Sequence, residues 1–320
     1  MQVRRPYKNR RQSGAALVIV LWFIVLLSIM AGSFTLTMRR ETGLIRNTKQ
    51  QAIYGALADG GLYFGMMMLL QSDLDIKWKA DGTVYEIPLG GGKVRVQIFD
   101  EAGKFDLNHT DGPVLRSVFS SAGLNDEDAE SLADAVLDWR DDDDLTHLKG
   151  AEEDDYQDVG RDYGPRNGPF QSIEEFGLVQ GVNYDVYRAI KPLITIYSGE
   201  PGIEPAVASK EALLALPDIN ISTVEEFILS RSENLDDSDL TNEFQGIQGV
   251  SAGGKTDNFY SIRTEARMTG DIVTAVSAIV TKKSTPSGVP FTVLQWSRFA
   301  VGQNSLFSQN ATKLHVEKTN

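Results

Sequence analysis

The feature that most constrains this chain is a run of twenty uncharged residues near its N-terminus, Ala15 to Phe34. As an α-helix this run is about 30 Å long, which matches the hydrocarbon thickness of a bilayer. The apolar region of a cleaved signal peptide is shorter, about 7–15 residues, and ends in a small-residue cleavage site. Here no A-x-A pattern follows, and the run continues into amphipathic sequence. The sequence therefore favours a membrane anchor over a cleaved signal.

The residues on either side of the apolar run indicate its orientation in the membrane and the length of the helix. The residues before it include no acid and five basic side chains: Arg4, Arg5, Lys8, Arg10 and Arg11. Such a flank stays in the cytoplasm, so the chain after residue 35 is predicted to lie on the outer side of the membrane. From Thr35 to about Gln71 there is no proline, and apolar residues recur at helical spacing. This pattern predicts one continuous helix of about fifty residues, half of it in lipid and half in water.

The charge balance and the cysteine count exclude several classes of protein. The chain has 31 Lys and Arg against 44 Asp and Glu, a formal net charge of −13. An acidic chain repels a phosphate backbone, so we expect no nucleic-acid partner. Cysteine is absent, which excludes disulfides, thiolate zinc sites and cysteine nucleophiles. The only histidines before the C-terminal segment, His109 and His147, have no serine or cysteine partner in any hydrolase motif. We therefore expect no enzyme activity and two neutral loop histidines.

Strand signals occur in two separated groups. The first is a pair around Gly90-Gly91-Gly92, with Lys104–Leu107 as an extension, and the second consists of Asn258–Met268, Asp271–Lys282 and Phe291–Phe299. About 150 residues of helical character lie between the two groups. The predicted fold is α+β: a pilin-like long N-terminal helix packed on an antiparallel sheet, with a large helical domain inserted between sheet strands.

The inserted segment contains a dense acidic stretch. Eleven carboxylates and three basic residues lie between positions 138 and 162. Such crowding is unfavourable unless a cation lies among the carboxylates, and oxygen ligands without cysteine favour Ca²⁺. The spacing is not that of an EF-hand, and a solvated acidic loop is the alternative. Trp139 and Tyr156 within the stretch indicate an ordered loop, which favours the metal site.

Two further motifs lack the neighbouring elements or turn residues that their usual functions require. Residues Gly249–Thr256 match the P-loop pattern, but a strand-like segment follows them where a P-loop requires a helix. Ser209–Leu216 and Ser222–Ser230 form two short helices about a turn, as in DNA-binding helix-hairpin-helix modules, yet the turn is Pro217-Asp218 rather than glycine-rich. We interpret the first motif as a loop and the second as a packing unit.

Several strings together resemble one family. The junction Arg10-Arg11-Gln12-Ser13-Gly14 before an apolar run resembles the leader of pilins and pseudopilins. DWRDDDDLTHLKGAEEDDY, then NGPFQSIEEFGLVQGV, resembles the insert of the type II secretion system protein K family, whose members are minor pseudopilins. The strings DEAGKFDLN, at positions 100–108, and PFTVLQW, at positions 290–296, are similar to flanking strands of that family. The likeness covers roughly residues 10–300.

The resemblance implies processing and a place in an assembly. A prepilin peptidase would cut between Gly14 and Ala15 and methylate the new amine of Ala15. Most pilins have a glutamate at the fifth mature position, which here is Ile19, and its absence is characteristic of the protein K family. The implied function is that of a tip subunit, which caps and helps initiate the periplasmic pseudopilus for protein export across the outer membrane. Its partners would be other minor pseudopilins and the major pseudopilin below, with contact to an exported protein left open. The resemblance also implies a single-pass anchor in the bacterial inner membrane and a soluble domain in the periplasm.

The resemblance also implies calcium ligands and domain limits. The ligands would be Asp138, Asp141, Asp143, Glu152, Asp154 and Asp155. Glu153 is an extra residue compared with the family motif, so the individual ligands stay open, as does the number of ions.

The predicted segments are a leader (1–14), a transmembrane helix (15–34), the soluble helix with the first strands (35–108), the inserted domain (109–250), the remaining strands (251–300) and a mobile tail (301–320). Alternatives are a type IV pilus minor subunit and a membrane-anchored periplasmic binding or sensory protein.

Overall fold

A computed structural model describes residues 15–73, 76–233, 244, 246–251, 258–267, 273–283, 288–301, 305–308 and 314–316. The predicted leader and its glycine therefore lie outside the described residues. The chain divides into two compact units, Met1–Ile53 and Tyr54–Asn320.

The first element is the long helix α1, Ala15–Leu69, with 55 residues. This confirms the continuous helix predicted from the absence of proline and the apolar spacing. In the first unit its large apolar side chains are exposed, among them Leu17, Trp22, Phe23 and Phe34. Within the described part of the chain, α1 is long and apolar enough to cross a membrane. In the second unit one face of α1 is buried, at positions Tyr54, Ala58, Leu62, Met66 and Leu69.

The described strands are β1 (Asp81–Leu89), β2 (Gly92–Asp100), β3 (Phe105–Asp106), β4 (Ile194–Thr195), β5 (Asn258–Arg267), β6 (Val273–Lys282), β7 (Phe291–Ala300) and β8 (Leu314–Val316). Six of these eight strands form one sheet in the order β7-β6-β5-β2-β1-β8. Neighbouring strands in this sheet are antiparallel except β1 and β8, which are parallel. Gly90 and Gly91 close the β1–β2 hairpin with φ of 56° and 81°, as a two-residue turn with two positive φ values requires.

The second half of α1 packs closely on this sheet. Val94, Val96 and Ile98 alternate along β2 towards the helix and are fully buried with Ala58 and Leu62. A Cβ at Gly61 would lie 2.5 Å from Cγ1 of Val94, so the close approach of helix and sheet requires glycine there.

A helical domain is inserted between β2 and β5. Asp100 and Tyr260 pair across these two strands, so the chain leaves and re-enters the sheet at adjacent positions. The domain has its own core, which includes Phe105, Phe119, Val136 and Tyr156. Its helices are α2 (Gly112–Ser121), α3 (Asp126–Arg140), α4 (Glu153–Asp158), α5 (Tyr184–Ile190), α6 (Lys210–Leu214) and α7 (Ile221–Glu233).

One local prediction is wrong. Residues 104–107 do not extend the hairpin: β3 pairs in parallel with β4 and forms a second, two-stranded sheet in the inserted domain. In the C-terminal segment, Leu306 is buried and β8 pairs with β1 at the edge of the main sheet. The mobility predicted for residues 301–320 stays a prediction.

Candidate metal centre

The acidic stretch begins in the last turn of α3. The side chain of Asn125 caps this helix by accepting a 2.9 Å hydrogen bond from the N–H of Asp128. Leu132, Val136 and Trp139 form its buried face. Asp138 lies next to Trp139 and is fully buried. A buried carboxylate is stable only where hydrogen-bond donors or cations surround it.

The loop after α3 folds back and supplies those donors. Asp138 Oδ1 accepts a hydrogen bond from the backbone N–H of His147 (3.1 Å) and contacts His147 Nδ1, while Asp138 Oδ2 accepts from the N–H of Ala151 (2.6 Å). A Cβ at Gly150 would lie 1.8 Å from Asp138 Oδ2, so no other residue fits at that position. Asp138 therefore ties the acidic loop to the end of α3.

Two further carboxylates near Asp138 have oxygens without a hydrogen-bond partner in the described part of the chain. These are Oδ1 of Asp141 and both oxygens of Glu152, whose exposure is 7 %. The Glu152 side chain also faces the backbone N–H of Asp155 in the capping box that begins α4, without forming a well-aligned hydrogen bond. Burial, followed by the charges of Asp138 and Asp141, raises the pKa of Glu152 to about 7. Burial, followed by the charges of Asp138 and Asp143, raises the pKa of Asp141. Shielded carboxylate oxygens that repel one another are what a bound cation would stabilise.

The six residues predicted as metal ligands are thus placed in two ways. Asp138 and Asp141 have carboxylate oxygens within 4.8 Å of each other, and Glu152 is near enough for both charges to raise its pKa. The others have different surroundings: Asp143 is exposed and accepts from the N–H of Leu145 (2.9 Å), Asp154 is exposed on α4, and Asp155 accepts from the N–H of Glu152 (2.9 Å) at the start of α4.

Aromatic side chains hold this loop in place. Trp139 packs on Tyr156 and Phe170, with ring centroids 6.1 Å and 5.9 Å apart. The hydroxyl oxygen of Tyr156, which is fully buried, accepts from the N–H of Gln180 (2.9 Å). The ordered loop predicted from Trp139 and Tyr156 is confirmed.

His147 is the residue that the sequence reasoning misjudged. It is not isolated: its Nδ1 lies against Asp138 and 3.9 Å from Oδ2 of Asp141. The hydrogen bond to Asp138 raises the pKa of His147. Donor atoms of Asp138, Asp141 and His147 all lie within 4.8 Å of one another. Nothing in the spacing of the sequence indicates this contact, because the loop fold creates it.

The three described residues of the P-loop match, 249–251, have a structural function. Ile203 and Val250 form a parallel bridge, and the N–H of Ile203 donates to the carbonyl of Gly249 (2.8 Å). Residues 252–256 of the match lie outside the described residues, and β5 begins at Asn258. A strand therefore follows where a P-loop requires a helix, as predicted.

The fold and this loop define a class: a chain of pilin-like α+β fold with an acidic helical insertion. Residues 101–199 match the family model of the type II secretion system (T2SS), protein K. The predicted resemblance to that family is confirmed for this part of the chain.

Curated relatives agree with the domain match. The chain is 27 % identical over 213 residues to the type II secretion system protein K of Pectobacterium carotovorum subsp. carotovorum, covering 58 % of this chain and 62 % of that protein. It is 24 % identical over 258 residues to the protein of the same name from Aeromonas hydrophila, covering 70 % and 77 %. The match therefore spans less than two thirds of the first of these relatives.

A solved structure has the same fold. A chain from the crystal structure of the GspK-GspI-GspJ complex of the enterotoxigenic Escherichia coli type 2 secretion system matches with a TM-score of 0.54 at 19 % identity, over 82 % of this chain and 99 % of that chain. This likeness confirms the α+β fold.

Proposed function

We propose that this chain is a minor pseudopilin of a type II secretion system, which caps and helps initiate the periplasmic pseudopilus together with other minor pseudopilins. The observation that carries the proposal is the protein K domain, residues 101–199, inserted beside a pilin-like sheet and helix. The matched crystal structure is of a GspK-GspI-GspJ complex, which supports partners of the same class for this chain.

The long helix supports an anchored subunit at the end of an assembly. Its exposed apolar residues between Leu17 and Leu36 suit a bilayer, and the basic residues before Ala15 favour a cytoplasmic N-terminus with the second unit in the periplasm. Ile19 is apolar and exposed in the structure. It offers no carboxylate with which to pair the terminal amine of a following subunit, which suits a tip position.

The acidic loop is proposed to bind Ca²⁺. Asp138, Asp141 and Glu152 would hold the ion, with Asp143, Asp154 and Asp155 as further candidates. Oxygens of Glu152 and Asp141 have no hydrogen-bond partner among the described residues, and all six side chains offer oxygen ligands. Both features fit a hard cation. When bound, Ca²⁺ would neutralise the mutual repulsion and hold the end of α3 against the start of α4.

Leader processing tests the proposal. Gly14→Val should block cleavage by the prepilin peptidase, and the unprocessed chain should fail to support secretion or to co-purify with the other minor pseudopilins of its operon. Gly43→Ala is the matched control, because its added Cβ meets no atom within 4 Å. If the Gly14 variant assembles and supports secretion normally, the pseudopilin function is wrong, and a membrane-anchored binding protein becomes the better interpretation.

A further inference from the structure

The part of α1 that follows the apolar run carries an unusual charge for the exported side of a membrane helix. Between positions 35 and 53 the sequence has one acid, Glu41, and four basic residues: Arg39, Arg40, Arg46 and Lys49. Basic residues close to a membrane span normally concentrate on its cytoplasmic side. Here the predicted cytoplasmic flank has five of them, so the four on the exported side are not explained by membrane orientation.

Helix geometry places the first two of these basic residues at the level of the lipid headgroups. α1 continues without a break from Ala15 to Leu69. At a rise of about 1.5 Å per residue, Arg39 lies about 7.5 Å beyond Phe34, where the apolar run ends. The headgroup layer adds about 5–7 Å to each side of the hydrocarbon core. Side chains of an α-helix lean towards its N-terminus, so Arg39 and Arg40 lean back towards the bilayer.

Both guanidinium groups are available to a ligand. Arg39 and Arg40 are exposed, and neither has an ion pair within the described residues. Glu41 is one or two positions away from them, and residues at these spacings do not face each other on a helix. Leu36 and Met38, 58 % and 42 % exposed, continue the apolar surface to the same level. Two guanidinium groups next to an apolar surface suit a phospholipid, which offers a phosphate next to acyl chains.

The charge balance of the chain makes this segment the one that an anionic bilayer attracts. Residues 54–320 contain 43 acids and 22 basic residues, whereas residues 35–53 contain one acid and four basic residues. An anionic lipid surface repels the first composition and attracts the second. We propose that Arg39 and Arg40 bind the phosphate groups of anionic phospholipids in the leaflet on the exported side. This inference rests on the proposed membrane anchor and adds a lipid ligand to it.

The experiment uses the full chain in detergent, titrated with phosphatidylglycerol or phosphatidylcholine. Native mass spectrometry measures the affinity for each lipid in the wild type and in the double variant R39Q/R40Q. Glutamine removes the charge and has nearly the same helix propensity as arginine. We expect the wild type to prefer phosphatidylglycerol and R39Q/R40Q to bind it roughly tenfold more weakly, with little change for phosphatidylcholine. The basic residues before Ala15 give the same background in every variant.

The double variant R46Q/K49Q is the matched control. It removes the same charge from the same helix, but Arg46 lies about 10 Å further from the bilayer than Arg39. It should keep the lipid preference of the wild type. Equal losses in the two variants would show an unspecific attraction, and an unchanged R39Q/R40Q would show that the arginines do not bind lipid. Either result would overturn the inference.

Two further outcomes separate this inference from the proposals on which it depends. If R39Q/R40Q kept its lipid affinity but no longer co-purified with other minor pseudopilins, the two arginines would belong to a protein interface, and the inference would be wrong. If the wild type bound neither lipid, the membrane anchor would be wrong as well. The pseudopilin function is judged separately, by the Gly14 variant.

Discussion

The backbone N–H of Ala151 donates a 2.6 Å hydrogen bond to the buried Oδ2 of Asp138, thirteen residues earlier in the chain. This bond and the two contacts of His147 with Oδ1 fold the acidic loop onto the end of α3. Both oxygens of Asp138 are thereby engaged, while the oxygens of Glu152 face the N–H of Asp155 in the capping box of α4 but form no well-aligned hydrogen bond within the described residues. The loop is thus ordered by one carboxylate and leaves another available for a ligand.

Gly150→Ala should destabilise the inserted domain. The new Cβ would lie 1.8 Å from Asp138 Oδ2, so the bond to Ala151 must lengthen or the loop must shift, at a cost of about 1–3 kcal/mol. Denaturant unfolding followed by tryptophan fluorescence measures the loss. Gly168→Ala, whose nearest neighbour would be 3.9 Å away, is the control and should unfold like the wild type. Equal midpoints for the two variants would show that the loop tolerates a shift.

Ca²⁺ should stabilise the chain and Glu152→Gln should remove much of that effect. At a free Ca²⁺ concentration of about 100 times Kd, binding adds about 2.7 kcal/mol to the free energy of unfolding. The unfolding temperature should therefore rise with Ca²⁺ and fall with a chelator. Without metal, Glu152→Gln should match or exceed the wild type in stability, because it removes a buried repelling charge. Glu153→Gln changes the exposed residue next to Glu152 and is the control. If Ca²⁺ stabilised both variants as much as the wild type, Glu152 would be excluded as a ligand.

Glu86 should make the sheet sensitive to acid. Burial raises the pKa of Glu86, but hydrogen bonds from Lys93 and Arg95, both 2.8 Å, outweigh burial and hold the pKa below its ordinary value of 4.5. A carboxylate with a lowered pKa in the folded state stabilises the fold above its unfolded pKa, and this contribution disappears as pH falls through the folded value. Glu86→Gln should therefore flatten the pH dependence of unfolding below about pH 4.5. Glu226→Gln, at an exposed position on α7, is the control and should keep the wild-type dependence of stability on pH. If the wild type and both variants lost stability equally as pH falls, Glu86 would not be the group responsible.

Gly61→Ala should loosen the contact between α1 and the sheet. Alanine favours an isolated helix by about 1 kcal/mol over glycine, but here its Cβ would lie 2.5 Å from Val94 Cγ1. Overpacking of this kind costs about 1–3 kcal/mol, so we expect a net loss of stability in thermal unfolding. Gly43→Ala, with open space around it, should show no loss. A stabilised Gly61 variant would mean that helix and sheet separate without cost.

Local sequence patterns correctly predicted the helix and the strand pair whose contacts are formed by residues close together in the chain. The absence of proline and the apolar spacing predicted α1, and the Gly90–Gly91 turn predicted the pairing of β1 with β2. The prediction for residues 104–107 failed because β3 pairs with β4, a partner about ninety residues away in the chain, and no local pattern indicates a pairing over that distance. β8 was missed for the same reason.

The sequence by itself determined that an apolar helix of bilayer length precedes an α+β domain, and that carboxylates crowd one loop, since both follow from the order of side chains along the chain. Only the tertiary structure decided which of those carboxylates meet. Asp138 and Glu152 approach because the loop turns back through Gly150, and His147 joins them through hydrogen bonds to a buried acid. Such contacts depend on burial and on backbone donors, which no spacing of residues encodes.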